Sequence, residues 1–213
     1  MKPFEYCKVI GVAGALAGLV AWPGTGQAQL DLGGILPPIL PGPAPTTISG
    51  QASAVTAVVL GTVTSLADTG TLVDAADPLG TGQPLGSIPG LVSAEALHAA
   101  TMGWTDQVAS EASLANVAMT VAGIGIAVDT VVSRALAVSG AVPIGLTDIE
   151  GLTIGGVSVS PAGVPNETIS LGGLSVILNE QIQSASGIVV NALHVTTPDG
   201  LINVVVGSAR AGI

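Results

Sequence analysis

The chain has 213 residues, of which 48 % are hydrophobic, 2 % aromatic and 8 % charged, with a formal net charge of −10. Four Lys and Arg stand against fourteen acids, which excludes binding that rests on clustered basic residues, to nucleic acid or to anionic lipid surfaces. Its one cysteine is Cys7, so a fold built from the rest of the chain must hold without a disulfide.

Residues 1–28 divide as a cleavable secretory signal peptide does. Lys2 and Lys8 give a positive start, Val9 to Trp22 is an unbroken apolar and glycine stretch, and Pro23-Gly24 breaks it. Gly26-Gln27-Ala28 then places small residues before a cut ahead of Gln29. The apolar stretch of about 14 residues is short of the ~20 that span a bilayer as a helix. Cys7 precedes it, which disfavours a lipid anchor, and the end at Ala211-Gly212-Ile213 predicts no C-terminal anchor. Residues 29–213 then carry thirteen acids against Arg134 and Arg210, a formal charge of −11, and keep Trp104 as their sole aromatic residue.

Residues 29–46 contain Gly33-Gly-Ile-Leu-Pro-Pro-Ile-Leu-Pro-Gly-Pro-Ala-Pro45, whose prolines exclude a helix interior or a central strand and predict an extended leader. Residues 47–213 read as one all-β domain. Gln51–Leu60 is a run of Ala, Val, Ser and Thr without a helical stripe, and residues 61–90 read as Gly/Pro/Asp-rich loops around one short strand. Residues 91–114, with their Ser-Ala-Glu-Ala-Leu-His-Ala-Ala, suit a helix and a strand equally. From 115 to 128 the apolar parity changes, which predicts a bulge or corner at Ala122-Gly123.

Leu152 to Val159 reads as a hairpin around a Gly155-Gly156 turn, pairing Ile154 with Val157 and Thr153 with Ser158. Strands follow at 167–170, 174–178, 188–196 and 201–206, the last two closed by Pro198-Asp199-Gly200. Many short aliphatic strands joined by Gly/Pro-rich turns predict an antiparallel β-sandwich; a β-solenoid is the alternative, although no fixed repeat occurs.

The C-terminal half carries an ordered set of short motifs: Gly151-Leu-Thr-Ile-Gly-Gly156, Pro165-Asn166, a Gly-Gly-Leu step, Leu178-Asn-Glu-Gln181, Val190-Asn-Ala-Leu-His-Val195 and Val206-Gly-Ser-Ala-Arg-Ala211. Together they resemble the bacterial choice-of-anchor P family over about residues 91–213. The resemblance implies an exported surface or extracellular domain of undefined biochemical role, and tips 91–121 toward strands. Family members carry C-terminal anchoring signals after the domain, and this chain departs from that pattern.

For chemistry, the absences weigh most. No Gly-x-Ser-x-Gly elbow or phosphate loop occurs, and residues 29–213 have no Lys for a Schiff base and no Cys nucleophile. A metal site would need His98 and His194 joined by Glu180 or Asp129. A hydrolase would need either histidine beside a serine. Asp68, Asp74 and Asp77 form the candidate for calcium, although their spacing matches no defined loop, and a glycan site would have Trp104 alone as its platform. Asn179-Glu180-Gln181 is expected to satisfy free backbone groups where an apolar strand ends. Glu180, His194 and Arg210 are expected to form one polar network, because a charge in an apolar setting needs a partner.

The reading is therefore a secreted or surface-associated, non-catalytic domain without cofactor, acting by protein association that includes self-association; a calcium- or glycan-binding module and a Ser/His hydrolase are the alternatives. Expressed with an export pathway, the protein is expected to begin at Gln29, which intact mass and N-terminal sequencing of the secreted product will check.

Overall fold

The computed structural model describes residues 47–75 and 78–213; the signal segment 1–28 and the leader 29–46 lie outside them. The described residues form strands and no helix: β1 (Ser49–Val59), β2 (Thr62–Asp68), β3 (Leu79–Ile88), β4 (Val92–Gly103), β5 (Gln107–Val121), β6 (Ile124–Val138), β7 (Ile144–Glu150), β8 (Thr153–Ile154), β9 (Val157–Ser158), β10 (Glu167–Leu171), β11 (Leu174–Ser184), β12 (Gly187–Thr196) and β13 (Ile202–Gly212). All pairings are antiparallel. One sheet, here sheet A, has the order β10-β11-β12-β13-β1-β2; the other, sheet B, runs β3-β4-β5-β6-β8-β9, with β7 also on β6. The sheets pack face to face over a shared aliphatic core, and neither closes into a barrel. This is a β-sandwich and not a solenoid.

The pairing corrects two local expectations and decides a third that the residues left open. Residues 61–90 hold two strands, β2 and β3, because their glycines and Pro84 sit on outermost strands, where a missing side chain or N–H costs little. Ala122-Gly123 is no bulge: Val121 pairs with Ile124, and the two residues at φ 48° and 81° form a tight hairpin turn. Residues 91–114 supply β4 and the first half of β5, joined by a turn, despite their alanines. A helix would leave those small side chains without a matching surface, whereas as strands Ala99 and Ala112 pack on Ala52 from the facing sheet.

The Gly155-Gly156 turn joins β8 to β9 with both residues at positive φ; Thr153 pairs with Ser158 and Ile154 with Val157. Leu152 and Ile154 are buried, while Val157 is exposed. Around Pro198-Gly200, Asp199 accepts hydrogen bonds from the Thr197 hydroxyl (2.6 Å) and the Leu201 N–H (3.0 Å), which hold its carboxyl below the usual range and set the β12–β13 register.

The feature that organises both sheets is a reversal of side-chain phase partway along their long strands. In β13, Val204 and Val206 point inward, and beyond Gly207 so do Ala209 and Ala211. In β12 the inward sets are Ile188, Val190, Ala192 and then Leu193, Val195; in β1, Ala52, Ala54 and then Val55, Ala57. The registers on either side place Ala67, Ala54, Gly207, Ala192 and Asn179 abreast across sheet A. Three of these five have left-handed backbone: Ala67 (φ 47°), Gly207 (φ 65°) and Asn179 (φ 50°). Sheet B has its own line through Ala96 (φ 48°), Asn116 (φ 48°), Asp129 and Gly151 (φ 68°). There two successive residues face outward, as with Glu95-Ala96 and Ala115-Asn116, whereas across sheet A two successive residues face inward. On one side of the line the core is Val, Leu and Ile; on the other it is largely alanine, including Ala135, Ala137, Ala209 and Ala211.

A methyl group at Gly207 would meet Val131 Cγ1 at 3.0 Å and Ala192 Cβ at 3.3 Å, on a left-handed backbone. Gly207→Ala is therefore expected to lower unfolding free energy by about 1–3 kcal/mol. Gly125→Ala, which meets nothing within 4 Å and needs no left-handed backbone, serves as the neutral control. Urea midpoints of the two variants check both.

Candidate functional site

Two of the polar side chains singled out from sequence, Glu180 and His194, meet on the outer face of sheet A, at its phase line. Because Leu178-Asn179, Ala192-Leu193 and Val206-Gly207 all turn inward there, one outer row of side chains is missing. The row on one side is Glu180, Asn191 and Ser208, directly paired across β11, β12 and β13; on the other side stand Ile177, His194 and Val205. Glu180 and His194 bridge the gap. His194 Nδ1 lies 3.0 Å from Glu180 Oε2, and the same oxygen accepts a hydrogen bond from Asn191 Nδ2 at 2.6 Å. Ser208 Oγ in turn donates to Asn191 Oδ1 at 2.7 Å. Although the pair lies on an outer face, its side chains are only 17 % (His194) and 14 % (Glu180) exposed.

Arg210 is not part of this network. It is exposed one outer row further along β13, opposite Gln51 and Val189, and among the described residues nothing ties its side chain to Glu180 or His194. The partners are Asn191 and Ser208 instead. Along an unbroken strand, Asn191 and His194 would face opposite sides; the phase reversal at Ala192-Leu193 puts them on one face. The signal available in the sequence was Ala-Leu at 192–193, two apolar residues in succession between two polar ones.

Asn179-Glu180-Gln181 lies within β11 and not at its end, since the strand runs on to Ser184. Asn179 Nδ2 donates to the Gly163 carbonyl (3.4 Å), and Gln181 Nε2 to the Gly145 carbonyl of sheet B (3.1 Å) and to Asn179 Oδ1 (2.9 Å). Asn166 supplies the pairing that β10 does not reach: its N–H donates to the Asn179 carbonyl and its Oδ1 accepts from the Gln181 N–H, both at 2.9 Å.

The two histidines face outward from opposite sheets, so one ion cannot hold both. Among the described residues, no group of three or more His, Cys, Asp and Glu could hold a metal, and neither histidine is hydrogen-bonded to a serine. Asp68 accepts from Gln51 Nε2 of the neighbouring β1 (3.1 Å) and from the Gly70 N–H of its own turn (2.8 Å); Asp77 lies outside the described residues. Trp104 is 40 % exposed, in the turn after β4. No helix among the described residues is long and apolar enough to cross a membrane.

The Glu180–His194 contact shifts both groups toward their charged forms. The hydrogen bond from His194, assisted by that from Asn191, outweighs burial and holds the Glu180 carboxyl below its ordinary 4.5. The bond to Glu180 likewise outweighs burial and raises His194 above its ordinary 6.5. His194 Nε2 is buried and makes no hydrogen bond of good geometry, although the nearby Asn203 side chain adds a smaller push toward the protonated ring. Compared with known proteins, the chain has no significant match to any family model, any curated protein or any solved structure.

The lowered Glu180 contributes stability that is complete above 4.5 and lost as pH falls through its folded value. The raised His194 contributes stability that is complete below 6.5 and lost as pH rises through its folded value. The pair is thus at full strength between about 4.5 and 6.5. Glu180→Gln is expected to cost about 1–2 kcal/mol in that window and less above it, and to bring the ring titration of His194 down. Urea unfolding at pH 5.5 and 8.5, with NMR titration of the ring, tests this; identical losses at both pH values contradict it.

Proposed function

We propose that this chain is an exported, secreted or surface-associated β domain whose role is structural, exercised through protein–protein association along open strand edges. The observation that carries the reading is the chemistry of the outermost strands. β3, at the end of sheet B, runs from Leu79 to Ile88 without a charged side chain, and β2, at the end of sheet A, has only Asp68 at its last position. Outermost strands expose unpaired N–H and C=O groups, and proteins commonly guard them with charges, lysine above all. Here the guard is Pro84, which interrupts β3 at its middle, while Leu85 beside it is 69 % exposed.

Two further points support the reading. The resemblance to choice-of-anchor P domains implies an exported surface module, and the signal-like residues 1–28 imply the same compartment. The acidic surface keeps non-specific association low, so contact is favoured where charge is absent, along the strand edges. The leader 29–46 is the candidate for a segment donated to a neighbour.

Sedimentation of residues 29–213 is expected to show concentration-dependent association that is insensitive to chelator. Leu85→Lys should move it to about tenfold higher concentration, a change of about 1.4 kcal/mol, without altering unfolding. Removing 29–46 should abolish assembly if the leader is the donated segment. A species that stays monomeric throughout would sink the edge reading, and stabilisation by calcium would favour the binding-module alternative.

A further inference from the structure

The outer face of sheet B carries an apolar row that runs straight across four strands. Ile144 of β7 pairs with Leu136 of β6, Leu136 with Ala109 of β5, and Ala109 with Met102 of β4. All four point outward, since their neighbours Ala135, Ala137, Val108, Ser110, Thr101 and Gly103 are buried. Ile144 is 55 % and Met102 43 % exposed, and Leu146, the next outward residue on β7, is 60 % exposed. Beside Ala109 lies an open groove of about 300 Å³ lined mainly by Pro78, Leu79, Gly80, Ala100 and Met102. The neighbouring row holds Arg134 and Glu111, whose Nε and Oε2 are 2.5 Å apart.

We infer that this face docks a second copy of the same chain about a two-fold axis at the middle of the row. Two properties of the row select that partner. Its residue sizes run large, large, small, large, so a two-fold turn lays Leu136 of each copy over the Ala109 dent and groove of the other and Ile144 against Met102: the face complements itself. The second property is charge. Copies carrying −11 each repel one another, and this face places one of only two arginines in residues 29–213 against Glu111, so the apolar row is flanked by a neutral pair. The same two-fold, which runs along the strands, keeps exposed Arg134 in its own row and lays it over the partner's Glu111, opposite charge to opposite charge.

The row is about 15 Å long, from four strands about 4.8 Å apart. That is short of the ~800 Å² per partner of stable complexes, so the dimer is weak and forms at high local concentration, as on a crowded surface. It closes at two copies, unlike edge addition, and stands or falls separately from it.

Because residues 29–213 contain no cysteine, disulfide trapping reads the geometry directly. Within one copy, positions 102 and 144 are three strands apart, about 15 Å, too far to bridge. A variant of residues 29–213 bearing Met102→Cys and Ile144→Cys is expected to give a covalent dimer under mild oxidation, and each single variant little. In sedimentation, Arg134→Glu and Leu136→Glu should each raise the dimer dissociation constant at least tenfold, Arg134→Glu more at low salt, while Leu85→Lys leaves the dimer intact. Absence of the covalent dimer, equal trapping by the single variants, or a ladder of higher oligomers overturns the inference. Loss of the dimer in Leu85→Lys but not in Arg134→Glu assigns association to the edges alone.

Discussion

The structure depends on a change of phase partway along its long strands. Side chains alternate strictly along a regular strand, so a strand of fifteen residues such as β5 or β6 would commit one parity to the core from end to end. Here the committed parity reverses on a line that crosses each sheet, with left-handed residues at Ala67, Gly207 and Asn179 in sheet A and at Ala96, Asn116 and Gly151 in sheet B. Such residues are costly for alanine and asparagine. They persist because hydrogen-bonded registers continue on both sides and over-determine the backbone between them. Irregularities of this kind bend a strand and raise its local twist.

The reversal also sets the chemistry of the outer faces. In sheet A, where two successive residues turn inward, it removes one outer row and leaves room in which Glu180 and His194 meet while largely covered. Each is shifted toward its charged form by the other. Asn191 shares the carboxylate and Ser208 holds Asn191, so the network ties together three adjacent strands. In sheet B, where two successive residues turn outward, the same line raises acids such as Glu95 and Asp129 to the surface.

Absence of lysine and near-absence of aromatic residues from residues 29–213 shape what their surface can do. With two arginines in residues 29–213, electrostatic attraction to polyanions is closed, and the strong net charge opposes contact between copies except where charge is locally cancelled or absent. The uncharged β3 edge and the Arg134–Glu111 face are such places.

From the sequence alone, the all-β class, the Gly155-Gly156 and Pro198–Gly200 turns and most strand positions of the C-terminal half were legible, because turn chemistry and β-branched runs are local properties. So was the prominence of Glu180 and His194, the only charged or titratable residues in their stretches of strand. Tertiary structure decided the rest. Whether the alanine-rich 91–114 became helix or strand turned on a facing sheet whose alanines match its own. Whether β2 and β3 formed at all turned on neighbours that complete their hydrogen bonds. That Asn191, and not Arg210, joins the Glu180–His194 pair followed from a left-handed kink repeated in adjacent strands. A period-two reading of any single strand places these residues on the wrong faces, since the kink is stabilised by the strands beside it and not by the residues that adopt it.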